Sequence, residues 1–470
     1  MATLGFQPQQ HHHFSGETVQ SPTHDQALQY ENQVIHTHSL GHWLPKNRHV
    51  IASWVAKKAE ECKNTNDALD PSLEVFQKLV NGDPKLQKLA NDMFTEASTH
   101  YPQDPVGNCA IQNFEQFLYA TNNIIKSGPQ WYDKKQPATA MGMIGFPINA
   151  LLDWPMGTAS GYEFWLLPEV NVAMSRVLKT WGKFLVSPAS TSCLNQQNGW
   201  LSQDAQGQLA IKANDGATGY SFQQLFLCDP TAPNYGFNSW DAFFVREFRE
   251  GMRPIEFPEE SRVITNACES APLQVRTDVK LSDLFFLKDQ PYSLLNMLNM
   301  NNNMAQQFVG GTVYQAFLSA MSYHRWHAPV SGVVKGIEMV PGTYYSENWF
   351  EGLAGAQDPD KPDPAAPNYS QPYISAVATR GIIYIEANDP KIGLMAIVFI
   401  GMAEVSSCEF TVGIGDAVHK GQQIGMFHFG GSSHCMLYRP GVNLGFVHPP
   451  PWNMDTEENF RVGSALAMVL

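Results

Sequence analysis

From Trp43 onward, apolar residues recur every three or four positions: Ile51, Trp54, Val55 and Ala59, then Leu73, Phe76, Leu79 and Val80. That period lays one apolar stripe along a helix. Asp70-Pro71 reads as a helix start, with a short capping side chain followed by a ring tolerated in the first turn. Gly82-Asp83-Pro84 reads as a stop and a restart. Pro168 to Leu185 predicts a further amphipathic helix carrying Val172, Val177, Leu178, Trp181 and Phe184. Past about residue 260 the period changes. Short β-branched runs alternate with Gly and Pro: Val313–Phe317, Val333–Ile337, Ile382–Ile385, Ala396–Ile400 and Glu409–Val412. These predict strands joined by tight turns. A helical N-terminal part therefore precedes a β-rich part, an α+β fold.

The expected organisation is a mobile Gln-, His- and Ser-rich arm over 1–40, a helical domain over 41–225 and a β-rich domain over 226–470. His11, His12 and His13 read as part of that polar arm rather than as a metal site. Five prolines crowd the stretch from Gly352 to Pro372, so it holds neither strand nor helix for long, and reads equally as a lid or as disorder.

The 470 residues are 43% apolar, enough for a sizeable core. The longest apolar run, Ile392 to Ala403, is closed by Glu404. It is far short of the roughly 20 residues that cross a bilayer, and it predicts a buried strand. No integral membrane segment is expected. Seven scattered cysteines, never in a C-x-x-C pair, and an N-terminus without a basic, apolar leader point to the cytoplasm. A formal charge of −14 is repelled by phosphate backbones, so no nucleic-acid partner is expected.

Two segments carry candidate chemistry: Tyr323-His-Arg-Trp-His-Ala-Pro-Val-Ser-Gly332 and Gly425-Met-Phe-His-Phe-Gly-Gly-Ser-Ser433. Alone, each has an ordinary reading, as two hydrogen-bonded histidines and as a flexible turn. No Glu follows His324, so the helical zinc-protease pattern is absent and no metal is expected. The Gly-Gly-Ser-Ser run lacks the lysine of a phosphate loop. Together the segments pair a nucleophile with a base. A histidine that deprotonates the serine hydroxyl directs it at the preceding Gly431 carbonyl, and the acyl group shifts from nitrogen to oxygen. β-Elimination of the resulting ester cuts the chain and leaves dehydroalanine. Water then converts that to a pyruvoyl group with loss of ammonia.

Phe243-Phe-Val-Arg-Glu-Phe-Arg-Glu-Gly-Met-Arg-Pro254, Tyr323–Pro329 and Gly415–Ser432 occur in the order of the phosphatidylserine decarboxylase family's F-F-x-R-x-L-K-x-G-x-R-P, Y-H-R-x-H-x-P and closing Gly-Ser motifs. The chain resembles that family over roughly 225–470. The resemblance implies a covalent pyruvoyl cofactor made from Ser432, with cleavage between Gly431 and Ser432 and a separate C-terminal chain, 432–470, as partner. It implies His327 as the base of self-cleavage and His324 as the proton-handling histidine of decarboxylation. The family's triad aspartate corresponds to Glu269 in Ala267-Cys-Glu-Ser270. The triad role and an ordinary turn carboxylate both remain open for it.

Cys228-Asp-Pro, Tyr235–Phe244, Ala267–Ser270 and Gly430–Ser433 further resemble the soluble fungal L-tryptophan decarboxylase branch of the psilocybin-pathway type. That likeness implies a small amino-acid substrate and tryptamine plus CO2 as products. Trp326, Tyr344 and Tyr345 are candidate aromatic walls, with ordinary core rings as the alternative. Three other readings stay open: a phosphatidylserine decarboxylase making phosphatidylethanolamine, an unprocessed non-catalytic relative, and a biotinyl- or lipoyl-type carrier using Lys420.

Overall fold

A computed structural model describes residues 48–63, 67–100, 110–132, 142–214, 219–282, 292–348, 370–404, 406–429, 431–452 and 459–470. The expected mobile arm lies outside the described residues. So does nearly all of the Pro-rich stretch; its last residues, Gln371 and Pro372, open a helix over Gln371–Val377.

Helices form where the period predicts them. α1 spans Arg48–Lys63, α2 Pro71–Gly82 and α3 Pro84–His100. Asp70 caps α2 by accepting a 2.8 Å bond from the Ser72 amide, which satisfies one orphan donor of the first turn. α4 (Phe114–Ile124) follows, then a hairpin of β1 (Gln130–Tyr132) and β2 (Gly142–Ile144). α5 (Pro147–Leu152), α6 (Ala159–Leu166), α7 (Pro168–Leu185), α8 (Gln203–Asn214) and the short α9 (Trp240–Phe244) complete the helical part. α7 has the predicted bounds, but Val172 faces solvent; Val170, Met174, Val177, Leu178 and Trp181 form its buried face. One apolar core joins these helices and runs on to Val245.

The β-rich part is built on a seven-stranded antiparallel sheet. Its strands are β4 (Ala271–Arg276), β5 (Thr312–Leu318), β7 (Gly332–Val340), β8 (Arg380–Ala387), β9 (Leu394–Met402), β11 (Ala417–Val418) and β13 (Gly431–Tyr438), in the order β11-β7-β8-β9-β13-β5-β4. β9 is the apolar run seen in the sequence, and it sits at the centre with both faces covered. Two small sheets close one face: β10 (Ser407–Phe410) with β12 (Gln423–His428) and β6 (Arg325–His327), and β14 (Leu444–Phe446) with β15 (Ala465–Val469) and β3 (Val263–Thr265). Among the described residues no helix is long and apolar enough to cross a membrane.

Candidate active site

The Gly431–Ser432 bond opens β13, at the end of the sheet that meets the helical part. Gly431 pairs with Met402, and Ser432 lies between Gly401 of β9 and Leu318 of β5. The Ser432 side chain is 2% exposed and its Oγ has no hydrogen-bond partner. A small hydroxyl left unbonded on backbone clamped from both sides fits a residue held for chemistry, since a buried donor without a partner is costly to keep. β13 stays paired with β9 and β5 through Tyr438, so a chain starting at residue 432 keeps its ladder after a cut.

The Phe243–Pro254 motif supports the histidine segment. His324 is fully buried, its ring stacked on Phe244 at 3.9 Å between centroids. Burial, and the nearby Arg246 guanidinium, hold its pKa well below the usual histidine value, so it is neutral. Arg246 is itself buried and donates to the Met321 and Ser322 carbonyls at 2.7 and 3.1 Å. Phe248 packs on Tyr323 at 4.6 Å between centroids, and the Arg253 guanidinium lies over the Phe248 ring, 3.8 Å from its centroid.

His327 sits at the end of β6. Its Nδ1 is 2.7 Å from the Gly421 carbonyl, and its Nε2 is 3.0 Å from the Tyr323 hydroxyl. A carbonyl only accepts, so Nδ1 carries the proton and Nε2 is a lone pair receiving the Tyr323 O–H. Burial lowers the pKa of this imidazole as well. Glu269 is buried; it pairs with Arg253 Nε and accepts a 3.0 Å bond from Asn459 Nδ2. The bonds to the His327 ring thus come from Gly421 and Tyr323, while Arg253 and Asn459 hold Glu269. The two segments still run side by side, because the His327 amide donates to the Ala267 carbonyl at 2.9 Å. No hydrogen bond joins Ser432 Oγ to either histidine.

The three aromatic candidates separate. Trp326 is fully buried and stacks face to face on Phe399 at 3.8 Å. Gly425 makes room for it, since a Cβ there would come within 2.6 Å of the indole. Tyr344 and Tyr345 instead line a cleft between the helical and β-rich parts, with Phe146, Asn149, Met402 and Ala403 on the other walls. Met402, the residue paired with Gly431, places the cleft beside the candidate cleavage bond.

Two further histidines lie near the Gly431–Ser432 bond. His428 bridges two carboxylates, with Nδ1 3.1 Å from Asp241 and Nε2 2.9 Å from Glu409. Burial opposes its charged form, but Asp241 and Glu409 outweigh that and raise its pKa. His434, two positions after Ser432 on the same face of β13, is fully buried with no partner on either nitrogen, and burial depresses its pKa to about 3. Both lie in or beside the Gly-Ser segment, yet their sequence positions alone say nothing of partners. Lys420 is buried and donates to the carbonyls of Phe257 and Glu260 at 3.0 and 2.7 Å. A lysine so held is not presented for attachment, which removes the support for a carrier.

Phosphatidylserine decarboxylase models match two stretches of the chain, residues 70–209 and 240–468. The chain belongs to the phosphatidylserine decarboxylase family. An L-tryptophan decarboxylase of Psilocybe cubensis is 34% identical over 413 residues, 84% of this chain and 88% of that one. The decarboxylase iboD of Amanita muscaria is 40% identical over 332 residues, 69% of this chain and 91% of its own. A phosphatidylserine decarboxylase proenzyme of Schizosaccharomyces pombe is 26% identical over 47% of this chain. Membership of the phosphatidylserine decarboxylase family makes the chain a carboxy-lyase.

Proposed function

We propose that the chain cleaves itself between Gly431 and Ser432 and then decarboxylates an aromatic L-amino acid, L-tryptophan to tryptamine and CO2. One observation carries this reading: a buried, unbonded Ser432 Oγ next to a clamped Gly431 carbonyl, in a chain that matches an L-tryptophan decarboxylase over 84% of its length. The backbone of β13 between β9 and β5 would hold the pyruvoyl group derived from Ser432. That group supplies an electron sink for the pair left behind as CO2 departs.

The chain's own residues do the rest. Nδ1–H of His327 is anchored on Gly421, which aims a basic Nε2; Tyr323 must release that nitrogen before it takes the Ser432 proton. Glu269 neutralises Arg253 and ties the motif loop to Asn459, fixing the floor beneath Tyr323. His324, stacked on Phe244, is neutral at rest, so it must first take up a proton before it can pass one to the substrate's α-carbon. Tyr344 and Tyr345, on the cleft wall, would meet a flat side chain through ring contacts.

Intact-mass spectrometry of the purified protein tests the first half. The expected result is two chains, the C-terminal one lighter by one ammonia than a fragment starting with serine. Incubation with L-tryptophan and, separately, with phosphatidylserine vesicles tests the second half. Tryptamine without phosphatidylethanolamine is expected; the reverse would overturn the substrate assignment.

A further inference from the structure

The strand that opens with the candidate cleavage bond holds a second polar side chain that none of the chemistry above uses. His434 follows Ser432 by two positions, so both side chains stand on one face of β13. His434 is fully buried, and neither ring nitrogen has a hydrogen-bond partner. The Ser432 Oγ beside it is equally unbonded. Burial depresses the imidazole's pKa to about 3, so at any working pH the ring is neutral and carries one N–H and one lone pair. An interior imidazole without a bond is destabilising, and an apolar side chain of similar volume would ordinarily pack there at no loss.

The surroundings narrow what the ring can serve. His434 pairs with Phe399 of β9 and Ala316 of β5, and Met436 follows it on the same face. Trp326 lies over Phe399, ring on ring, so that side is closed by apolar surface. Tyr314, diagonal across β5, meets the imidazole edge-on at 6.0 Å between centroids and makes no hydrogen bond to it. Ser432 is then the polar neighbour along the strand, about 6.5–7 Å away between Cα atoms. Side chains on a strand lean along its direction, so an imidazole can span that gap. A cut between Gly431 and Ser432 leaves both positions on the same chain, 432–470, and on the same strand. Residues 433–438 stay laddered to β9 and β5, which keeps the ring in place beside residue 432.

We propose that His434 is a catalytic residue of the decarboxylation, whose ring N–H hydrogen-bonds the keto oxygen of the pyruvoyl group at position 432. The inference rests on Ser432 being the pyruvoyl precursor. Drawing charge onto that oxygen opens the keto carbon to the substrate amine. The amine nitrogen bonds to that carbon, the carbon–oxygen bond breaks, and the oxygen leaves as water with both amine protons. His434 gives up no proton; a neutral imidazole in an apolar site acts as the donor throughout.

The test uses the self-cleaved wild type, His434→Gln, which keeps an N–H, and His434→Leu, each with cleavage read by intact mass. Three quantities are compared: kcat and KM for L-tryptophan, the rate at which phenylhydrazine condenses with the keto group, and the oxygen-isotope-sensitive keto stretch in the infrared. His434→Leu should lower kcat about 100-fold with KM little changed, slow the phenylhydrazine reaction, and move the keto band to higher frequency. His434→Gln should recover most of each. A Leu variant that matches the wild type in phenylhydrazine rate and keto band would overturn the proposal even if its turnover falls, because a packing role moves neither. An uncut Gln variant would also overturn it, by placing His434 in the cleavage step instead. So would a wild-type keto band at the frequency of an unbonded α-ketoamide in dry aprotic solvent, a result that needs no variant to fold. A wild type that stays whole would overturn the pyruvoyl reading and this proposal with it. A cut wild type with an unbonded keto band would overturn this proposal alone.

Discussion

Gly401 on β9 faces Ser432 on β13 across one antiparallel rung, and the turn after β9 closes over that glycine. The residue opposite Ser432 must be small because Ser406 occupies the space a side chain would need. Gly401→Val should therefore displace the turn. It is expected to cost about 1–3 kcal/mol of stability and to leave a visible fraction of the chain uncut. Thermal melts and denaturing gels read both effects; full cleavage at the wild-type Tm would show that the turn yields freely.

Ser432→Ala removes the only oxygen next to the Gly431 carbonyl on that side chain. A single intact chain without decarboxylase activity is expected by mass spectrometry and product assay. Any cut between residues 431 and 432 in this variant would exclude serine-driven cleavage.

The two histidines of the Tyr323 segment occupy different surroundings, so their variants should differ. His327→Ala is expected to stay uncut, because the imidazole anchored on Gly421 is gone. His324→Ala is expected to cut but to decarboxylate poorly. Equal behaviour on gels and in the amine assay would refute the division of roles.

Arg253 and Glu269 form a buried ion pair. Arg253→Met would leave a carboxylate buried without its cation, which typically costs about 3–5 kcal/mol. A lowered urea midpoint measures it, and the double variant Arg253→Met with Glu269→Gln should recover part of the loss.

His428 predicts a pH dependence with a definite sign. Its folded pKa lies above the ordinary 6.5 because Asp241 and Glu409 outweigh burial. The stability it contributes is complete below that ordinary value and is lost as pH rises through the raised folded value. The Tm gap between wild type and His428→Gln should be widest at acidic pH and shrink toward alkaline pH. A constant gap would mean that the imidazole is not charged between its carboxylates.

The amino-acid sequence by itself determined the elements and the candidate cleavage bond. Apolar spacing marked α2 and α7, Asp70 and Gly82-Asp83-Pro84 marked helix ends, and the run from Ile392 to Ala403 marked the central strand β9. These are local properties, set by backbone sterics and by which face of one element is greasy. The Gly431-Ser432 pair was legible for the same reason, since nucleophile and electrophile are adjacent in the chain. Only the tertiary structure decided what each polar group touches. It gave Glu269 to Arg253 and Asn459, buried Trp326 against Phe399, left Tyr344 and Tyr345 on a cleft wall, and set His428 between Asp241 and Glu409. Glu404, which in sequence merely closes an apolar run, meets a backbone amide 255 residues away. Such pairings depend on how sheets and helices stack and on which polar atoms lose water when they do, and neither is written into any local stretch of residues.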